Sequence, residues 1–303
     1  EAGLPLLKAL EDVGPMMALT RNESAVIEKV GRYRNFDFTN GHVGNVLDDG
    51  IDLRVFLQHW KYAVALTMPK KKGVLKGIAF FNASGEATHK AYLRDDSDSA
   101  AFDRIVEQFK APEQSPVTSV EPITEKVYQP KEDTDVEQFQ ASWLGMQDTH
   151  DFFFLLHKYR LHRLDGLALA PEGHSVPLDV STLQRVLEAA ASEKVPIMVF
   201  VGSRGCIEIH TGPVNRVVSA KGWLNVLDPG FNLHVNESRI DQCWIVRKPT
   251  VDGIVTSLEA YDANGETICL IFGVRKPGRP EDTRWRTLVQ QSSLPKNGRV
   301  TSV

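Results

Sequence analysis

Residues 45–50 read NVLDDG, and residues 225–230 read NVLDPG. The offset is 180 residues, and it holds without a gap through Gly85 and Gly265. Twelve of the 42 positions from 45 to 86 are identical across it, including Leu53/Leu233, Val55/Val235, Pro69/Pro249, Gly73/Gly253 and Glu86/Glu266. Average residue usage gives roughly two or three by chance. A solenoid repeats every ~20–50 residues, so one repeat at 180 reads as a duplicated domain instead.

Working outward, the repeated unit is mostly strand. IMVFVGS, GCIEIHTGPV, WLNVLDPGFNLHV, QCWIVRK, GIVTSLEAYD and TICLIFGVR are rich in β-branched and aromatic residues. Asn82–Gly85 and Asp262–Gly265 each separate two such runs and end in Gly, which suits a hairpin with a left-handed position. LPLLKALEDV before the first β region and STLQRVLEAAASE before the second carry apolar residues at helical spacing. Pro112, Pro116, Pro122 and Pro130 mark 111–135 as a linker. The expected organisation is a first half over 1–110, the linker over 111–135, and a second half over 136–303. The second half has a helical lead-in at about 136–165 with no counterpart before residue 1. Either the halves differ there, or the first has lost its lead-in; the chain opens at Glu1 rather than Met.

Composition excludes several classes. With 303 residues, 42% hydrophobic and 24% charged, the chain is long enough for about two cores. Cys206, Cys243 and Cys269 are too few and too scattered for a disulfide framework or a thiolate zinc site, which points to a reducing compartment. The longest strongly apolar run, about 195–201, is far short of the ~20 residues that span a bilayer. Residues 1–20 lack the pattern of a secretory signal. A net charge of −4 argues against a nucleic-acid partner. Nucleotide-binding glycine loops, the GxSxG elbow and HExxH are absent.

Chemistry therefore falls to a few side chains. His150 lies in DTHDFFFLLH (148–157). Asp148 or Thr149 can cap a helix whose first turn holds His150, and a helix N-terminus favours the neutral imidazole that ligates iron. Phe152, Phe153 and Phe154 beside it offer an aromatic wall to a flat apolar ligand. By pattern alone, core phenylalanines and a satisfied histidine are the commoner reading. His157, two turns on, makes a two-histidine metal pair the weaker alternative. Arg54 alternates with Leu53 and Val55 along a strand and shares a face with Asp52 and Phe56; its repeat partner is His234. It reads as a solvent-facing cation or as one aimed into a cavity. Arg163, near or beyond the end of the His150 helix, and Lys248 are candidate partners of a ligand carboxylate, though singly such residues are usually solvated.

The chain resembles the bacterial cytoplasmic haemin-transport and haemin-degrading proteins of the HemS/ChuS type over essentially its whole length. The clearest stretches are RNESAVIEKVG (21–31), NGHVGNVLDDGIDLRVFLQHW (40–60), DTHDFFFLL (148–156), IMVFVGSRGCIEIHTGPV (197–214), KGWLNVLDPGFNLHV (221–235) and RKPTVDGIVTSLEAYDANGETI (247–268). The resemblance implies an α+β fold with an internal duplication: two large antiparallel sheets stacked centrally, helices at the flanks, and haem (protohaem IX) in a cleft between the halves. It implies a further segment at the front. It makes His150 the proximal iron ligand, Arg54 a distal arginine, Phe56 an apolar haem contact, and Arg163 and Lys248 partners of the propionates. It also marks departures. Ile27 stands where some relatives have an extra haem-binding histidine, and Asp151 and Phe153 stand where others have exchangeable ligands. Leu270 and Phe272 stand where close relatives have a Gln and a Tyr near the propionates.

The expected function is cytoplasmic haem binding within a haem-uptake and iron-acquisition system. The protein would receive haem from an inner-membrane importer and pass it to a haem oxygenase, with no stable membrane insertion. The alternative is that the chain itself degrades haem, with Arg54 as the catalytic distal residue and an external reductant. A module of lipocalin or interaction type, without haem, is the remaining reading.

Overall fold

The computed structural model describes residues 3–294 except 40, 42, 72, 115–118, 124–125 and 276–277. Its strands are β1 (Pro15–Arg21), β2 (Ala25–Arg32), β3 (Phe36–Asp37), β4 (Gly44–Leu47), β5 (Asp52–Val55), β6 (Tyr62–Pro69), β7 (Val74–Phe81) and β8 (Ala87–Leu93), then β9 (Ser175–Leu178), β10 (Ile197–Gly202), β11 (Cys206–Gly212), β12 (Val217–Ala220), β13 (Trp223–Asp228), β14 (Phe231–Asn236), β15 (Gln242–Thr250), β16 (Gly253–Tyr261) and β17 (Thr267–Gly273). The helices are α1 (Gly3–Ala9), α2 (Ser99–Phe109), α3 (Val136–Leu144), α4 (Asp151–Lys158), α5 (Arg163–Ala168), α6 (Thr182–Ser192) and α7 (Thr283–Ser293).

The strands make two large sheets. One has eight strands in the order β12-β13-β14-β2-β1-β8-β7-β6; the other has nine, in the order β3-β4-β5-β11-β10-β17-β16-β15-β9. Matching β1–β8 to β10–β17 makes the two orders the same, with β9 added to the second. The duplication is therefore reciprocal. The first half builds five strands of the eight-stranded sheet and the second half six of the nine-stranded sheet, β9 included, and each donates three strands to the other. The joins are antiparallel ladders: Leu233 faces Ile27 where β14 meets β2, and Arg54 faces Ile207 where β11 meets β5. The repeat extends to burial, since residues 51–60 and 231–240 carry the same sequence of buried, half-buried and exposed positions. Both end in a 3-10 turn, Leu57–His59 and Glu237–Arg239.

The turn chemistry follows the sequence. Gly85 and Gly265 take φ +80° and +78° between β7 and β8 and between β16 and β17, a region open to Gly at little cost. WLNVLDPGFNLHV breaks into β13 and β14 at Gly230, also with φ +78°. The lead-in to the second half comprises α3, α4 and the start of α5.

By contacts the chain divides into two compact units. One comprises Glu1–Thr124, Phe200–His210 and Asn225–Val235; the other comprises Glu125–Val199, Thr211–Leu224 and Asn236–Val303. In the first unit, Met16, Ala18, Ile78, Phe80 and Ala91 of the eight-stranded sheet share one core with Val46, Leu53, Val55 and Cys206 of the nine-stranded sheet, closed by Leu7 and Leu10. In the second, α3 and α4 bury Phe139, Trp143, Phe152, Leu155 and Leu156 against Val246 and Tyr261. Burial of such side chains stabilises by ~1.5–3 kcal/mol each.

Candidate functional site

The second unit holds three of the five candidate side chains, and α4 positions the first. Its buried residues are Phe152, Leu155 and Leu156, the i, i+3, i+4 pattern of an amphipathic helix. The opposite face carries His150, Phe153, Phe154 and His157, spaced i, i+3, i+4, i+7. Phe153 and Phe154 are 60% and 65% exposed, and the His150 side chain is 84% exposed. The aromatic run is thus split: Phe152 is core, and its two neighbours stand on the surface one turn from the histidine.

His150 is not within the first turn of α4 but is its N-cap residue, with no side-chain capping bond. Asp148 does not cap the helix. Its carboxylate accepts the backbone N–H of His150 and bonds the His150 ring at Nδ1. Asp151 secures the loop by accepting the backbone N–H groups of Gln147 and Asp148. Burial opposes the charge on Asp148, but the His150 contacts and Arg275 outweigh it and hold the carboxyl below the usual range. In a neutral imidazole, a carboxylate on Nδ1 selects the tautomer that keeps its proton there and its lone pair on Nε2, the arrangement typical of metal-ligating histidine.

Arg163 and Lys248 come together around a residue the sequence reading missed. Arg163 is the first residue of α5, a helix separate from α4, with His162 as N-cap. Its Nε and Nη2 donate to Oε2 of Glu259 at 3.1 and 2.7 Å, and its Nε also donates to the Tyr261 hydroxyl at 2.7 Å. Lys248 Nζ donates to Glu259 Oε1 at 2.9 Å, and Ser257 donates to the same oxygen at 2.8 Å. The Tyr261 hydroxyl donates to Oε2. The ring of Phe152 lies under both cations, 5.0 Å from the Arg163 guanidinium carbon and 4.7 Å from Lys248 Nζ.

The charges in this cluster are strongly coupled. Burial disfavours ionised Glu259, but Arg163 and Lys248 outweigh it and hold the carboxyl well below its ordinary range. Burial pushes Lys248 down to about 8 despite Glu259. Arg163 stays cationic because Glu259 more than offsets its burial. The Lys248 side chain is 4% exposed and that of Arg163 25%, so Arg163 is the more accessible of the two. The signal for Glu259 was an acid inside the apolar run GIVTSLEAY: a carboxylate buried there needs cations.

Arg54 and Phe56 belong to the first unit. Arg54 alternates with the buried Leu53 and Val55 on β5. Its guanidinium is half-buried, pairs with Asp52 and donates to the Leu53 carbonyl at 3.2 Å. Phe56 is half-buried at the N-cap of the Leu57–His59 turn. The repeat partner His234 bonds Asn225 instead, at 2.7 Å. Ile27 is fully buried.

Comparison with known proteins agrees with this architecture. The model of the haemin-degrading HemS/ChuX domain matches residues 4–109 and 160–292. The hemin transport protein HemS of Yersinia enterocolitica is 40% identical over 282 residues, 93% of this chain and 81% of that protein. Among solved structures, holo-PhuS, a heme-binding protein from Pseudomonas aeruginosa, superposes with a TM-score of 0.91 at 43% identity, covering 94% of this chain and 83% of that one. ChuS, an Escherichia coli heme oxygenase, superposes at 0.87 and 38% identity, covering 97% and 87%. With both halves matched and the reciprocal sheets in place, the chain belongs to the haemin-degrading HemS/ChuX domain family.

Proposed function

We propose that this protein binds haem through His150 and hands it on within a haem-uptake system. The observation that carries the reading is the α4 stripe: a histidine whose Nδ1 is held by Asp148, next to two exposed phenylalanines. Exposed aromatic rings beside a metal-competent nitrogen suit a flat apolar ligand that carries its own iron. Arg163 and Lys248 supply positive charge for the ligand's carboxylates. Arg54 is assigned to the distal side and Phe56 to an apolar haem contact on the family resemblance, with the charge and partial exposure of Arg54 in support. One axial histidine holds haem less firmly than two, which suits transfer from an inner-membrane importer to an oxygenase. No helix among the described residues is long and apolar enough to cross a membrane.

The second reading is that haem is the substrate and this chain opens its ring to release iron. It is favoured by the family's haemin-degrading description and by the oxygenase among the superposed structures. Electrons would come from an external reductant. His150 would hold the iron, and Arg54 would order water or bound oxygen by hydrogen bonding.

Haemin titration tests the binding. The expected result is a sharp Soret band at ~1:1 stoichiometry that loses its histidine-ligated character in His150→Ala. Asp148→Asn is expected to weaken binding by about 10–100-fold, as loss of an outer partner does elsewhere. An unchanged spectrum in His150→Ala removes the assignment. Arg54→Ala is expected to bind with an altered spectrum. Incubation of the complex with reductant and catalase, followed by tetrapyrrole analysis, separates the two readings. Intact haem that transfers to an oxygenase supports the carrier, and ring opening supports the enzyme.

A further inference from the structure

The two units use the same hairpin turn differently. Asn82–Gly85 joins β7 to β8, and Asp262–Gly265 joins β16 to β17. Their bonds match one for one. Gly85 and Gly265 donate their N–H groups to the carbonyls of Asn82 and Asp262, and the backbone N–H groups of Glu86 and Glu266 donate to the side chains of Asn82 and Asp262. In the first unit a stretch of the linker lies on the turn. Glu121 donates its backbone N–H to the Ala83 carbonyl at 2.9 Å, and a Cβ on Gly85 would sit 3.2 Å from Val120. The Glu121 carboxylate lies 3.9 Å from Lys61 Nζ.

In the second unit the turn borders a cleft of about 410 Å³, a size that suits a small ligand or a few residues of chain. Ala263 and Gly265 of the turn line it with Trp244 of β15 and with His162 and Asp165 at the start of α5. The Ala263 carbonyl, counterpart of the one that Glu121 bonds, has no hydrogen-bond partner among the described residues. The indole N–H of Trp244 is already donated to Gln242 at 3.0 Å, which leaves the ring face for apolar contact. His162 is held in place: its Nδ1 accepts the Leu164 N–H at 3.3 Å, and its ring meets Tyr128 edge-on.

The charge beside the turn is reversed between the units. Lys61 and Asp241 stand 180 residues apart, and their backbone N–H groups donate to the carbonyls of Phe81 and Tyr261 in the same way. Lys61 faces an acid. The Asp241 carboxylate is exposed and accepts from the Gln242 amide at 3.4 Å, with no cation paired to it among the described residues. Lys131 and Asp165, at the same cleft, offset each other at 3.8 Å.

We propose that this cleft is a docking site for a short linear segment of a partner protein that carries a lysine or arginine. The segment donates a backbone N–H to Ala263, as Glu121 does to Ala83, lays an apolar side chain on Trp244 and sets its cation beside Asp241. Main-chain bonding supplies a share of the affinity, and the charge selects the segment. The site lies at the opposite end of β15 from Lys248 and does not depend on the haem reading.

The test uses two capped peptides, Ser-Val-Lys-Pro-Ile and Ser-Val-Glu-Pro-Ile, the second being residues 119–123 of this chain. Each is titrated at low salt into the isotope-labelled full chain. The readout is the indole N–H resonance of Trp244, identified by its loss in Trp244→Phe. The wild type is expected to bind the lysine peptide with a dissociation constant on the order of millimolar, at least about threefold more tightly than the glutamate peptide. Asp241→Asn is expected to make the two bind alike, and Asp241→Lys to reverse the preference. Asp241 lies on the surface, so neither change disturbs a core. A Trp244 resonance that moves with neither peptide overturns the docking site. No preference in the wild type, or a preference for lysine that survives Asp241→Lys, overturns the charge assigned to the partner, and the proposal with it.

Discussion

Glu208 shows what a buried carboxyl does without the partners that Glu259 has. It is fully buried on β11, and neither oxygen finds a hydrogen-bond partner among the described residues. His89 Nδ1 lies 3.9 Å away, itself bonded to Thr20, while the other ring nitrogen of His89 bonds the Tyr33 hydroxyl. Burial pushes the Glu208 carboxyl up to about 8 against the pull of Thr20 and Lys29, and burial drives His89 down to about 3. The signs differ. The folded state holds the Glu208 proton that the unfolded chain releases above about 4.5, so stability falls as pH rises to about 8. His89 works in reverse: stability is complete above about 6.5 and is lost as pH falls towards 3. Between pH 6.5 and 8 Glu208 acts without His89. The wild type is expected to lose up to about 2 kcal/mol more than Glu208→Gln across that window, measured by urea unfolding at several pH values. Parallel pH profiles would show that the carboxyl is ionised when folded. At this scale the phenylalanine run drew attention to His150, but by pattern alone a satisfied histidine was the commoner reading, and its proposed role rests on the family resemblance. Glu259 was not legible, because its identity as a hub depends on α5 bringing Arg163 to β16.

Among the described glycines, the closest approach to the backbone of another element is that of the turn joining β4 and β5 to β2. A Cβ on Gly50 would sit 2.2 Å from the Val30 carbonyl oxygen, and one on Gly31 would sit 2.8 Å from the Gly50 backbone. Backbone cannot yield as a flexible side chain can. Gly50→Ala is expected to destabilise the fold by about 1–3 kcal/mol, seen as a lower urea midpoint, whereas Gly73→Ala meets no atom and costs only the strain of its φ of +80°. An undisturbed midpoint for Gly50→Ala would mean that the turn can move away from β2. Helices and hairpin turns were readable at this scale because their signals are local. The division of DTHDFFFLLH between a histidine-holding loop and a short helix was not. It depends on whether Asp148 spends its carboxylate on the helix N-terminus or on the imidazole, and both are local options for an aspartate.

For the whole molecule, the repeat announced two copies of one β-rich unit, unequal at the front, but not their exchange of strands. A 180-residue offset reads the same whether each half pairs only with itself or lends three strands to the other; hydrophobic alternation sets which face is buried, not which edge is met. The ladder between β14 and β2 makes a cut in the linker harmless to the association of the halves. With a protease site placed after Gln114, the two cleaved pieces are expected to elute together in gel filtration and to part only in denaturant. Separation in native buffer would show that the reciprocal ladders contribute little. The same ladder carries a consequence for synthesis. Residues 25–32 leave the ribosome about 200 residues before residues 231–236 arrive to cover them. At ~5–20 residues per second, that edge waits about 10–40 s. An uncovered edge strand invites pairing with other chains, so the nascent protein is a natural client for chaperones over that interval.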